Sequence, residues 1–271
     1  MVSDKIIFLQ DTARKIRELV ITSLTESGSG HLGGSLGLAD VFTALYFEVL
    51  DHDPQNPEMK NRDKLVLSIG HVAPVLYSSL ALSGYFPAKE LMTLRKLDSR
   101  LQGHPSFTAG VPGLETASGS LGQGLSICVG MALADKLDDI ERSIYCICGD
   151  GELQEGQIWE AVMSASHHEL TSITLIVDRN NVQIDGKTSD VMELDPLRER
   201  FGSFGWNVLE CDGNNIEDLL FMFQNLNQTK PNVIIAHTVM GKGVPEIEGD
   251  YNWHGKAPSN EECKRFLELL Y

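Results

Sequence analysis

Hydrophobic residues along the chain fall into two alternating patterns. Short apolar runs, most of them rich in β-branched residues, occur at 64–69, 143–148, 172–178, 206–210 and 233–238 and read as strands buried on both faces. Between and around them, apolar positions recur every three to four residues at 8–26, 38–50, 121–137, 157–168, 195–204, 215–226 and 260–270, and several of these stretches open on Ser, Asp or Asn, the side chains that cap helix N-termini. Strands that alternate with helices predict an α/β fold: a doubly wound, mostly parallel sheet with helices on both faces. Ligands of such a sheet bind beyond the carboxyl ends of its strands. No repeat or low-complexity segment interrupts the alternation, so one domain over 1–271 is expected.

Composition narrows the classes of function. The formal net charge is −16, from 38 acidic and 22 basic side chains, and the basic residues do not cluster. Such a surface repels phosphate backbones and anionic lipid, which argues against nucleic-acid and membrane partners. The apolar runs are far shorter than a bilayer span, and the first thirty residues lack a basic start followed by an apolar core, so a cytoplasmic protein is expected. Five cysteines, an odd number without a C-x-x-C pair, read as reduced thiols, with Cys146 and Cys148 packed inside one strand.

Candidate chemistry begins at the end of the second strand. The run at 143–148 leads straight into Gly149-Asp150-Gly151, and a helix follows near Gly156. Glycines let backbone approach a ligand, a helix N-terminus offers free N–H groups to an anion, and a carboxylate holds a hard cation. The next strand ends in Asp178-Arg179-Asn180-Asn181-Val182, which adds an amide and a freed carbonyl. Magnesium prefers six oxygens; Asp150, the Asn180 amide and the Val182 carbonyl leave three positions for two diphosphate oxygens and a water. Gly-Asp-Gly alone is a common turn, but paired with Asn180-Asn181 thirty residues later it resembles the signature of thiamine diphosphate enzymes.

The stretch between, GDGELQEGQIWEA, resembles the transketolases, as do SGSGHLGGSLGLADVFTALYF at 27–47, RDKLVLSIGHVAPVLYSSLALSGY at 62–85, RLQGHPS at 100–106 and VPGLETASGSLGQGLSICVGMALA at 111–134. The chain resembles the N-terminal, diphosphate-binding subunit of a split transketolase whose pyrimidine-binding and C-terminal domains are on another polypeptide. The resemblance implies thiamine diphosphate with magnesium, or calcium or manganese in its place, held by Asp150, Asn180 and Val182. It places Gly151 and Glu152 near the diphosphate, Ile184 on the cofactor rings, and Gly119, Ser120 and Leu121 against the aminopyrimidine and thiazolium. Ser120 stands where the family usually has proline, and Val72 where it often has a small residue.

Four of the eight histidines, His31, His71, His104 and His254, adjoin glycines, which suits imidazoles presented from loops at a crowded site. Imidazoles of near-neutral pKa move protons efficiently. The resemblance implies transfer of a two-carbon ketol unit from a ketose to an aldose, with His71 and His254 at the diphosphate and substrate C1 region, and His31 and His104 at substrate hydroxyls. It also implies that Glu155 and Glu160 reach across a subunit boundary toward the activating glutamate of the partner, in an α2β2 assembly. A helix N-terminus enriched in acids accounts equally for Glu152 and Glu155. His52, His167, His168 and His237 read as structural, and Lys242 as a solvated loop residue. Two readings stay open: another thiamine enzyme, such as a deoxyxylulose-phosphate synthase or one chain of a 2-oxoacid dehydrogenase, and a non-catalytic cofactor-binding module. Sugar phosphates in pentose phosphate metabolism are the default substrates, with branched or sulfonated ketoses left open.

Overall fold

The computed structural model of the chain describes residues 3–271, and the sheet at its centre follows the five apolar runs. Strands β1 (Lys64–Leu67), β2 (Ile144–Gly149), β3 (Ile173–Arg179), β6 (Asn207–Asp212) and β7 (Asn232–His237) form one all-parallel sheet in the order β1-β2-β3-β7-β6. A separate two-stranded hairpin, β4 (Val182–Gln183) and β5 (Gly186–Lys187), follows β3. Helices are α1 (Asp4–Ser27), α2 (Leu32–Gly37), α3 (Ala39–Ala44), α4 (Ala73–Ser83), α5 (Gln123–Asp138), α6 (Gly156–His167), α7 (Thr188–Val191), α8 (Leu197–Ser203), α9 (Ile216–Gln224) and α10 (Asn260–Leu269).

Alternate strand residues supply two cores, as a sheet covered on both faces requires. Leu65, Leu67, Tyr145, Ile147, Ile176 and Ile234 meet α1, α3, α4 and α9. Val66, Cys146, Cys148, Leu175, Val177 and Ile235 meet α5, α6 and α8. The cysteines are free, and Cys146 and Cys148 are packing residues. No helix among the described residues is long and apolar enough to cross a membrane.

Three sequence expectations change. β6 is an edge strand with Glu210 and Asp212 exposed, so it is not buried on both faces. The helical pattern at 38–50 is α3 followed by a π-helical turn at Leu45–Val49, preceded by the fully buried α2. α2 is a glycine helix because its backbone touches the neighbouring chain: a Cβ on Gly37 would stand 2.9 Å from the Val239 carbonyl, and one on Gly34 would stand 2.8 Å from Val72. Finally, α4 forms where no amphipathic period exists, since Ala73–Ala81 is buried all round.

Candidate active site

The carboxyl ends of β2 and β3 lie side by side, with Gly149 in register with Asp178 and the Asp150 N–H donating to the Asp178 carbonyl at 3.1 Å. They form one end of a cleft of about 530 Å3. Asp150 is buried; its Oδ1 accepts from Gly151 N at 2.8 Å, and its Oδ2 accepts from Asn181 N at 2.7 Å and Thr188 Oγ1 at 3.2 Å. The guanidinium of Arg179 lies 3.5 Å from the same Oδ2 and pairs with Asp195 at 3.0 Å. Burial raises the Asp150 carboxyl above its ordinary range, opposed by these donors and by Arg179. Burial and the neighbouring Asp150 push Asp178 up to about 7.

Asn180, Val182 and Ile184 line the cleft beside Asp150, with Ile184 69% exposed. Among the described residues no group of three or more His, Cys, Asp or Glu is placed to hold a metal. The donors here are instead one carboxylate, one amide and one backbone carbonyl, a hard oxygen set that is completed only by oxygens from a ligand. That chemistry fits a magnesium diphosphate.

Glu152 lines the same cleft, but its oxygens are turned to the protein. Its Oε1 accepts from Gly122 N at 2.6 Å and from the Ser68 hydroxyl, and its Oε2 accepts from Gly149 N at 3.2 Å. Ser68 Oγ in turn accepts from Gly124 N at 3.0 Å. One carboxylate thus ties β1, β2 and the loop before α5 together. Gly122 meets it with φ 83°, a conformation open to glycine. Glu152 is therefore a wall brace, and Ser68, which no local pattern singles out, shares that work.

The other end of the cleft holds four imidazoles. Ring centroids of His31 and His71 are 4.9 Å apart, His71 and His254 5.0 Å, His31 and His254 5.6 Å, and His31 and His104 6.2 Å. They come from the start of α2, the turn before α4, the loop at 104 and the turn at Tyr251–Trp253. Burial, then the neighbouring imidazoles, lowers His71 to about 3 and His31 to about 4. Burial likewise lowers His254 and His104, with Arg95 adding to the effect at His104. All four are neutral at pH 7, and His31 Nδ1 is buried without a hydrogen-bond partner, a polar atom left for a ligand.

Gly119 and Leu121 line the cleft, while Ser120 is exposed beyond it. Glu155 stands at the exposed rim; Glu160 is exposed on α6 and does not line the cleft. Val72 packs against Gly34 with 1% exposure. His52 bonds the Tyr46 carbonyl and Tyr85, His237 faces Glu210, and His167 and His168 are exposed, so these four stand outside the cluster.

The family described as transketolase, thiamine diphosphate binding domain, matches residues 9–270. The chain belongs to the transketolases. It is 42% identical over 270 residues to the 6-deoxy-6-sulfo-D-fructose transketolase subunit SqwG of Clostridium sp. (strain MSTE9), covering 99% of this chain and 98% of that one. It is 40% identical over 256 residues to an apulose-4-phosphate transketolase subunit of Phocaeicola vulgatus, covering 94% and 90%. The solved transketolase of Campylobacter jejuni superposes with a TM-score of 0.91 at 37% identity, over 98% of this chain but only 43% of that one. The chain therefore has the length of the separately encoded transketolase subunits and less than half that of the single-chain enzyme. The matched stretch is that of a thiamine diphosphate-binding domain.

Proposed function

We propose that this chain is the diphosphate- and metal-holding subunit of a two-chain transketolase, transferring a two-carbon ketol unit from a ketose phosphate, or another ketose with an anionic terminus, to an aldose. The observation that carries the reading is the meeting, in one cleft, of an oxygen-donor end at Asp150, Asn180 and Val182 with a cluster of four neutral imidazoles. Magnesium, replaceable by calcium or manganese, would sit between those oxygens and the cofactor diphosphate. Thiamine diphosphate, when bound, supplies the electron sink for breaking the ketose C2–C3 bond.

The protein's share is orientation and proton handling. Asp150 and the N-terminal turn that follows it hold the charged end, while Glu152 fixes the loop at 119–122 over the cofactor rings. His71 and His254, 5.0 Å apart, are assigned the diphosphate and C1 side; His31, whose ring lies beside all three others, and His104 are assigned the sugar hydroxyls. Neutral imidazoles each keep one ring nitrogen free to accept a hydrogen bond from a substrate hydroxyl, although His71 at about 3 and His31 at about 4 are weaker bases than the near-neutral imidazoles expected from the sequence.

The cleft is open. Ile184 and Leu121, on the ring-binding side, are both exposed, and the acid that activates the aminopyrimidine is assigned to the pyrimidine-binding portion of a second chain. Glu155 at the rim would face that partner, with Glu160 further along α6. An α2β2 assembly follows from pairing two such half-sites. The names of its relatives, one acting on a sulfofructose and one on apulose-4-phosphate, favour a ketose with a terminal sulfonate or phosphate. Free cysteines and a phosphorylated substrate favour the cytoplasm.

The test is reconstitution. Ketol transfer should appear only when the chain is mixed with its partner, thiamine diphosphate and a divalent cation. Transfer by the chain alone, or decarboxylation of a 2-oxoacid by the mixture in place of ketol transfer, overturns the reading.

A further inference from the structure

Asn180 offers a cation one useful atom. Its side chain carries an oxygen with lone pairs and an NH2 group with none, of nearly equal size, so a site built on it must decide which one faces the metal. The decision lies in its hydrogen bonds. Asn180 Nδ2 donates to Asp178 Oδ2 at 2.9 Å, and Asn180 Oδ1 accepts from Val182 N at 2.9 Å. Turning the amide over would set its oxygen against a carboxylate oxygen and its NH2 against a backbone N–H. With Asp178 ionised, both contacts are repulsive.

Asp178 can impose this choice because it is itself fixed. It is 2% exposed, and its other oxygen accepts from the hydroxyl of Thr238, which is 6% exposed and sits one residue beyond β7 on the strand's carboxyl side. β7 pairs with β3 up to Arg179 and His237, so Thr238 is delivered to Asp178 by the sheet register. Thr238 N also donates to the Arg179 carbonyl at 3.3 Å. Neither Asp178 nor Thr238 belongs to the donor set at Asp150, Asn180 and Val182.

We propose that Asp178, held by Thr238, is a positioning residue that locks the Asn180 amide with its oxygen free for the cation, so that metal affinity depends on a hydroxyl two strands away from Asp150. The inference rests on the metal-holding role assigned above to Asn180. Outer partners of metal ligands typically change affinity about 10- to 100-fold when removed, because the ligand then samples unproductive orientations.

The experiment follows free Mn2+ by electron paramagnetic resonance while it is titrated into the full chain, with thiamine diphosphate and its partner subunit present. Thr238→Val keeps every charge and removes only the donor; Mn2+ affinity should fall by about 10-fold or more. Thr238→Ser keeps the donor and should bind near the wild-type level. Asp178→Asn should weaken binding, since an amide at 178 no longer dictates which Asn180 atom turns away. The exchange Asp178→Asn with Asn180→Asp restores the net charge and gives position 180 two equivalent oxygens, so affinity should recover. Circular dichroism checks that each near-isosteric variant is folded. Equal Mn2+ affinity in Thr238→Val and wild type, or equal losses in Thr238→Val and Thr238→Ser, overturns the proposal while leaving the metal role of Asn180 intact. Absence of cofactor-dependent Mn2+ binding to the wild-type assembly overturns that role, and this inference with it.

Discussion

At the scale of single residues, the cleft is a place where burial sets charge. His31 and His71 are lowered to about 4 and about 3, first by burial and then by their neighbours. Between those values and the ordinary 6.5, the unfolded chain binds more protons than the folded one, so this contribution raises stability with pH and is lost as pH falls below 6.5. Asp178, raised to about 7, works in the opposite sense: the folded chain holds its proton over the range from 3.8 upward, and that contribution is lost as pH rises toward 7. The two partly cancel in the whole-protein curve, so the difference between variants is the informative quantity. In urea denaturation, the stability of His71→Asn relative to wild type should increase steadily from about pH 7 to about pH 5, and the C2–H resonances of His31 and His71 should not titrate in that window. A second prediction concerns Glu152. An amide has one acceptor oxygen where the carboxylate has two, so Glu152→Gln leaves either Gly149 N or the Gly122 and Ser68 donors without an acceptor. A loss of about 1–3 kcal/mol is expected by urea denaturation, with weaker cofactor binding as the loop at 119–122 loosens.

At the scale of elements, the site depends on close approach of loops that carry no secondary structure of their own. A Cβ on Gly70 would collide with Ser118 Oγ and stand 3.0 Å from Gly119 N, in the loop that lines the cleft. Gly70→Ala should push that loop outward at a strain of about 1–3 kcal/mol, and titration with thiamine diphosphate and magnesium should show weaker binding in a folded protein. This contrast explains what was legible in the sequence. β1, β2, β3 and β7 stood out because buried parallel strands are continuous apolar runs, β6 by a shorter run although it lies at an exposed edge, and the acidic turns after β2 and β3 because Gly, Asp and Asn interrupt those runs abruptly. α4 and α2 did not stand out, since a helix buried on every side has no polar face to reveal its period. The hairpin β4–β5 is too short to carry an alternation. Ser68, Thr188 and Thr238 reach the site only through pairing of β1, β3, β7 and the segment after the hairpin, and no local pattern anticipates such a meeting. The placements of Ser120 and Glu160 outside the cleft have the same origin: neighbours in sequence on a turn or helix point in different directions.

At the scale of the whole molecule, the question is what covers the outer side of α5 and α6. Ser126, Gly130 and Ala134 are exposed and four residues apart, forming a flat strip on α5, with Leu137 87% exposed at its end and Met163 exposed on α6. A glycine at the centre of an exposed helix face weakens the helix by about 1 kcal/mol relative to alanine. Nothing lies within 4 Å of a Cβ built on Gly130, so the fold of this chain does not require that glycine. A backbone brought close by another subunit would require it. The strip runs on from Gln123, which bonds Gln157 at 2.7 Å, and Gln157 in turn donates to the carbonyl of Leu121 at the cleft wall. Gly130→Ala and Gly130→Leu therefore separate folding from assembly. In the chain by itself both should raise the urea midpoint or leave it unchanged, with Gly130→Ala gaining about 0.5–1 kcal/mol. In sedimentation with the partner subunit, Gly130→Leu should bind more weakly than Gly130→Ala, because the added bulk holds the two surfaces apart. Equal assembly by wild type and Gly130→Leu would remove this face from the contact and leave Glu155 and the exposed Ile184 at the cleft rim as the place to look for the second chain.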